Sequence, residues 1–395
     1  MKLLNELCEI NIGKTPSRSE KRFWGTGYKW LSIADMKSKY ISKSKEEITD
    51  SAVEECNMKI IPKDTVIMSF KLSIGKLGIV KEDFFSNEAI ASFVVKQPTD
   101  LLPEYLYLAL STVNLDKYTD KAVKGKTLNK RKLNKIEIPY TDIDTQRKIV
   151  KFMNQCVEII EKRQSQIVAL DELVKSTFLE MFGDPKENKN QYPVRPLFDF
   201  YESQKDGVKC GPFGSALKKD EYTNSGIPVW NMDNITKSNS FIDQPNLFVS
   251  EKKAIQLKGY NVQNGDIIIS RAGTVGKMGV VRSKYENSLI STNLVRLRLN
   301  NELIPEFLVI LIRIFGDKVC RMRTGSEGSF THMNTSVLNS MEFPVPPLEK
   351  QKQFIKFLEE IGEQNLKFIA ALNEMQFLYN SLLQKAFRGE LNQEK

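Results

Sequence analysis

Histidine is almost missing from this chain: His332 is the only one in 395 residues. One imidazole leaves no His-rich metal site, and any Ser-His-Asp arrangement would rest on a single loop residue. Cysteine is sparse too. Cys8, Cys56, Cys156, Cys210 and Cys320 lie far apart and form no CxxC pair, which suits reduced thiols in a cytoplasm and excludes a disulfide framework or a zinc cluster. No apolar run approaches the ~18 residues of a membrane span, and Met1-Lys2-Leu3-Leu4-Asn5-Glu6 does not read as a secretion signal.

Nucleotide-binding strings fail on inspection. Gly13-Lys14-Thr15 and Gly125-Lys126-Thr127 end like a P-loop, but the first glycine would fall on Cys8 and Asp120. Gly276-Lys277 is followed by Met278, which has no hydroxyl for magnesium, and no GxGxxG follows a strand. Methylation of adenine in DNA needs an Asn/Asp-Pro-Pro-aromatic strand end. Val345-Pro346-Pro347-Leu348 has neither the polar residue nor the aromatic. With no catalytic constellation and no metal ligand set, the chain is expected to do no chemistry alone and to bind no cofactor.

What is present is basic charge and repetition. Lys and Arg number 58 against 49 Asp and Glu, a net charge of +9 spread along the chain, which favours an anionic partner such as nucleic acid. The length allows two or three domains. From Pro139 to about Asp184 the chain repeats itself at Pro344 with a constant offset of 205. Gln146 falls on Gln351, Ile149 on Phe354, Phe152 on Phe357, Ser176 on Ser381 and Phe182 on Phe387. A repeat held in register this long is a structural unit.

Each copy reads as one long helix. Steps of three and four run through Ile149, Met153, Cys156, Ile160, Arg163, Ile167, Leu170, Val174, Thr177 and Met181. The second copy has Phe354, Leu358, Ile361, Asn365, Phe368, Leu372, Met375, Tyr379, Leu382 and Ala386. These are a/d seams with polar interruptions, the pattern of helices that pack lengthwise on a partner, here on each other. Arg163 and Asn365 are candidates for fixing helix register. Gly183-Asp184-Pro185 and Gly389 are the stops.

Residues 1–138 and 186–343 precede the helices and resemble each other. Both are rich in short β-branched runs and glycine turns. The sharpest match sets Ser69-Phe70-Lys71-Leu72-Ser73-Ile74-Gly75-Lys76 against Ser270-Arg271-Ala272-Gly273-Thr274-Val275-Gly276-Lys277, each after an apolar strand. Such a turn presents cations and hydroxyls. Pro103-Glu104 and Pro305-Glu306 then each open a helix. The last loop before each long helix is the most polar: Lys121 to Lys132, and Arg321 to Asn334.

Basic and hydroxyl side chains at these turns and loops suit phosphate contacts and some base-edge contacts. The candidate DNA-binding residues are Lys14, Arg18, Arg22, Lys71, Ser73, Lys76, Lys124, Lys126, Lys130 and Arg131 in the first half. Arg271, Thr274, Lys277, Arg321, Arg323, Ser329, Thr331 and Asn334 are their second-half counterparts. A bracing role for Lys76 and Lys277 within their own turns is the alternative, and His332 belongs to a loop with no catalytic partner.

The duplicated plan resembles the specificity subunit of type I restriction–modification enzymes. The likeness is carried by Gly13-Lys14-Thr15-Pro16-Ser17-Arg18, both Gly-Lys turns, Gly211-Pro212-Phe213-Gly214-Ser215, Met181-Phe182-Gly183-Asp184-Pro185 and Pro346-Pro347-Leu348-Glu349-Lys350-Gln351. One departure is Thr141-Asp142-Ile143-Asp144-Thr145-Gln146, which lacks the prolines of 346–347 and implies a different start for the first helix.

The resemblance implies an α+β fold: two α/β target recognition domains in tandem (1–138 and 186–343), each followed by a long helix (139–185 and 344–395), with the helices packed as an antiparallel coiled coil. It further implies that each recognition domain reads one half of a bipartite DNA site and that the helices set the spacer between the halves. The partners it implies are two modification subunits, which use S-adenosylmethionine to methylate adenine, and restriction subunits, which use ATP with magnesium. A modification-only system fits equally. Two other classes remain open at this point: a DNA-modifying enzyme with an unfamiliar active site, and a helical scaffold for protein partners alone.

Overall fold

A computed structural model describes every residue except 72, 123–124, 214–215, 237–238, 272–275, 320–334, 340 and 391–395, and no side chains at 120–127, 315–319 and 337. Two compact units divide the chain: Met1–Ser165 with Ile369–Lys395, and Gln166–Phe368. Each contains one globular module, the beginning of one long helix and the end of the other.

In the first unit the central sheet runs in the order Cys8–Ile12, Ile90–Val95, Val66–Ser69, Leu77–Val80 and Tyr40–Ile41. All neighbours are antiparallel except the last pair. Val66–Ser69 is buried throughout because both faces of the sheet are covered. Val66 and Met68 face the cluster with Tyr105 and Leu106 of helix Pro103–Ser111, while Ile67 joins Leu31, Ile41, Val80 and Ile90 on the other face.

The second unit repeats the arrangement. Val208–Cys210, Leu294–Leu297, Ile267–Ser270 and Met278–Val280 are neighbours in that order. Ile267 and Ile269 face Phe307 and Leu308 of helix Pro305–Val319, and Ile268 packs with Trp230 and Ile290 behind. One fold has been built twice from runs with the same alternation.

The long helices are Ile143–Phe182, of 40 residues, and Leu348–Arg388, of 41. Their starts do differ. Asp142 accepts a 2.9 Å hydrogen bond from the Thr145 backbone N–H, which holds its carboxyl down at about 2 and caps the first helix. The second begins after Pro347, whose carbonyl accepts from Lys350 and Gln351 N–H. Gly183 and Gly389, at φ 75 and 77, close the two helices in the left-handed region open to glycine.

Within each unit, the beginning of one long helix lies beside the end of the other. In the first, Ile149 and Met153 share a core with Tyr379, Leu383, Ala386 and Phe387. In the second, Val174, Phe178 and Phe182 meet Phe354, Phe357, Leu358 and Ile361. The pairing is therefore antiparallel, as the resemblance implied. Every seam position from Ile149 to Met181 and from Phe354 to Ala386 is buried or partly buried, including Ile160, Ile167, Leu170, Asn365, Leu372 and Met375. Phe178 lies one step off the seam and is wholly buried, with its ring 5.6 Å from Phe307 and 5.4 Å from Phe354.

Two glutamines tie these helices to their modules. Gln146 is fully buried: its carbonyl accepts from Leu102 N–H at 3.0 Å, and its amide donates to Asp100 and Thr141 carbonyls at 2.8 Å each. Gln351, equally buried, accepts from Ile304 N–H at 3.0 Å and donates to Glu302 at 3.2 Å and Pro346 at 2.9 Å. Leu102 and Ile304 immediately precede the Pro103 and Pro305 helices. Each glutamine thus replaces water at the backbone groups where module and rod join.

The second module also buries charge. Arg296 is 0% exposed and donates to the Asp206 carboxylate and backbone at 2.6 Å and to the Asn261 carbonyl at 2.7 Å. Arg298 grips Asp266 with two hydrogen bonds of 2.7 Å and reaches Asp206 at 2.9 Å. Burial pushes the Asp206 carboxyl up, but the two guanidiniums outweigh it and hold it below its ordinary value.

Replacing Gln351 by Leu strands the Ile304 N–H and two carbonyls, so unfolding stability should fall by about 1–3 kcal/mol. Replacing Asp266 by Ala leaves the buried Arg298 charge without its bidentate partner and should cost about 3–5 kcal/mol. Urea denaturation of each variant checks both figures, and their order.

Candidate nucleic-acid interface

The described residues of the two Gly-Lys turns make the same hydrogen bonds. Ser69 ends its strand fully buried; its hydroxyl accepts from the Lys76 N–H at 3.0 Å, and its carbonyl accepts from Gly75 N–H at 2.8 Å. Ser270, also fully buried, accepts from the Lys277 N–H at 3.1 Å and, through its carbonyl, from Gly276 N–H at 3.0 Å. Gly75 and Gly276 sit at φ 91 and 87, where a side chain would be strained. Exposed Lys76 donates to Ile33 O at 3.4 Å, and half-buried Lys277 donates to Ile235 O at 3.5 Å.

Backbone hydrogen bonds extend the equivalence around the turn. Gly13 N–H donates to Ile90 O, as Gly211 does to Leu294 O; Phe70 donates to Ala89 O, as Arg271 does to Asn293 O. A Cβ on Gly13 would lie 2.2 Å from Ser86 O, and one on Gly211 would lie 2.0 Å from Ser291 O, so both positions need glycine for close approach. Thr15 is thereby the counterpart of Phe213, and Phe70 of Arg271.

On this common frame the side chains diverge. In the first module, the Thr15 hydroxyl donates to the Glu88 carboxylate, which keeps that carboxyl below its usual range. Phe70 is buried, and Lys71 is exposed with its ammonium 5.5 Å from the Phe70 ring centroid. In the second, Phe213 is 61% exposed, and the Arg271 guanidinium lies 4.9 Å from its ring centroid.

Several of the other candidate cations hold partners inside the first module. Arg18 pairs bidentately with Glu46 and stacks 3.8 Å from the Trp24 centroid; Arg22 pairs bidentately with Glu55. Lys14 donates to Cys56 O at 3.0 Å. Lys130 and Arg131 are exposed on the short helix Lys130–Leu133, which is capped by Asn129, and the carbonyl of exposed Ser73 accepts from the Ser69 hydroxyl. Lys126 lies on strand Gly125–Thr127, with its side chain outside the described residues. Lys124, Thr274, Arg321, Arg323, Ser329, Thr331, His332 and Asn334 lie outside them altogether.

Sequence reasoning passed over the Thr15–Glu88 pair and the side chain of Phe213. A signal did exist: Gly211-Pro212-Phe213 aligns with Gly13-Lys14-Thr15 once Gly13 and Gly211 are paired. Among the described residues no cluster of three His, Cys, Asp or Glu could hold a metal ion, and no helix is long and apolar enough to cross a membrane.

Comparison with known proteins agrees with this duplicated architecture. Residues 1–169 and 211–375 match the type I restriction modification DNA specificity domain family. The MjaIX specificity subunit of Methanocaldococcus jannaschii is 23% identical across 100% of this chain and 94% of its own length. The HindI specificity subunit of Haemophilus influenzae is 28% identical over 42% of this chain and 37% of that protein. Among solved structures, a chain from work on complex assembly and conformational transition of the type I restriction–modification system superposes with a TM-score of 0.67. It has 15% identity and covers 99% of this chain and 97% of that one, a likeness of fold. With both halves matched and the duplicated frame seen directly, this chain belongs to the type I restriction–modification DNA specificity family, whose role is recognition of target DNA.

Proposed function

We propose that this chain reads a bipartite, asymmetric DNA sequence and presents it to catalytic partner subunits. The observation that carries the reading is the duplicated Gly-Lys frame: two modules share one backbone geometry yet expose different chemistry at equivalent positions. Residues 1–138 and 186–343 are the two readers, each responsible for one half-site. Residues 139–185 and 344–395 form the paired rods that set the spacer. Phosphate contacts from lysine and arginine supply affinity without sequence information, and a few contacts to base edges supply specificity.

Lys71, Lys130, Arg131 and Arg271 are the leading described contacts for this role. Lys76 and Lys277 shape the turns. Two modification subunits, bringing S-adenosylmethionine, would methylate adenine in each half-site, and restriction subunits would add ATP- and magnesium-dependent cleavage. The chain itself is non-catalytic, needs no cofactor and works in the cytoplasm. The outer faces of the long helices carry exposed Ile159, Val168, Leu366 and Phe377, apolar surface suited to docking the modification subunits.

Co-expression with a modification subunit followed by methylome sequencing tests the reading directly. The expected result is one bipartite motif with N6-methyladenine in both halves; an assembled complex that marks no motif would overturn it. Removing one heptad from each long helix takes out about 10 Å of rise. Spacer length should then change while both half-site sequences persist. Methylation at the original spacer would refute the ruler role.

A further inference from the structure

Among the described residues, Phe213 joins no hydrophobic core, and it is 61% exposed. Nor does the fold call for an aromatic side chain at this place, since the equivalent site in the first module carries Thr15, hydrogen-bonded to Glu88. The apolar face of the Phe213 ring gains nothing from folding and is available to a ligand.

The backbone on either side of Phe213 is hydrogen-bonded to the module. Gly211 donates to Leu294 O at 2.9 Å and sits against Ser291 O at a distance only glycine permits. Pro212 is buried behind it, and Ala216 N–H closes a turn on the Phe213 carbonyl at 2.8 Å. The cation at its side is equally anchored: Arg271 N–H donates to Asn293 O at 2.9 Å, and the guanidinium lies 4.9 Å from the ring centroid. An exposed ring beside a positive charge matches one ligand chemistry well. That ligand offers a flat aromatic face next to an anion, as a nucleobase offers beside its phosphate.

We propose that Phe213 is a stacking residue of the second module: it stacks on a base at a locally unstacked step of the second half-site, and Arg271 neutralises the neighbouring phosphate. The proposal rests on the DNA-reading function above. Inserted apolar side chains of this type open base steps in duplex DNA and are tolerated best at flexible steps, so they add sequence preference beyond hydrogen-bonded readout. The first module, with Thr15 and Glu88 at the equivalent place, presents hydroxyl and carboxylate groups and has no such wedge. The two half-sites are therefore read by different physics from one backbone frame.

The test uses the chain assembled with its modification subunits, bound to duplexes carrying the motif found by methylome sequencing. 2-Aminopurine is placed in turn at positions of each half-site other than the methylated adenine. The wild-type complex should show enhanced fluorescence or permanganate reactivity at one step of a single half-site, and Phe213→Ala should abolish it. Stacking on one base corresponds to a loss of affinity of about 5- to 150-fold. Phe213→Tyr should restore both signals, and an unchanged melting temperature for each variant excludes misfolding. Unaltered affinity and motif in Phe213→Ala would overturn the proposal while leaving the DNA-reading function intact. Loss of subunit assembly instead of DNA binding would overturn it in favour of a protein contact. A wild-type complex that marks no motif would remove the underlying function as well.

Discussion

A buried amide side chain at the start of each long helix is the constraint on which the remaining architecture rests. Gln146 and Gln351 each satisfy three backbone groups that neither helix nor sheet could pair. Those groups lie where a rod leaves its module, and without partners each would carry a desolvation penalty. An apolar residue could fill the space but could not make the hydrogen bonds. The orientation of each helix start is thus specified by directional bonds, with hydrophobic packing adding adhesion around them.

Packing then follows from the helix pairing inside each unit. Val174, Phe178, Phe182, Phe307 and Phe354 make one aromatic and aliphatic core from two long helices and the short helix of the module. The first unit uses smaller and more varied side chains, Ile149, Met153, Leu383 and Ala386, for the same contact. Duplication preserved the positions and let the side-chain volumes drift, which well-packed cores allow when total volume is kept. The same freedom extends to polar groups. The second module buries Arg296 and Arg298, paired with half-exposed Asp206 and buried Asp266, whereas Asn11 and Ser92 face one another across the corresponding strands of the first.

Function uses this division between a constant frame and variable side chains. Ser69 and Ser270, Gly75 and Gly276, and Gly13 and Gly211 are the frame, held by backbone geometry that tolerates little substitution. Thr15, Glu88, Phe213 and Arg271 are carried on it and differ between the two modules. A family that must recognise many DNA sequences benefits from keeping these two sets of residues separate.

The repeat offset, the heptad seams and the Gly-Lys turns were legible in the amino-acid order because each depends on local periodicity or on a glycine that only one backbone shape requires. The start of the first helix was legible as a difference, and Asp142 supplies its cause. Charge was less transparent. Arg296 and Arg298 are buried because their acceptors Asp206, Asn261 and Asp266 come from other strands and loops, which no local pattern announces. Lys76 and Lys277 look like free cations in the sequence, but tertiary structure points them at carbonyls more than forty positions away. Sequence by itself determined the periodic and duplicated elements of this protein. Which polar groups face water and which face one another was decided only by the folded chain, since hydrogen-bond partners are selected by distance in space.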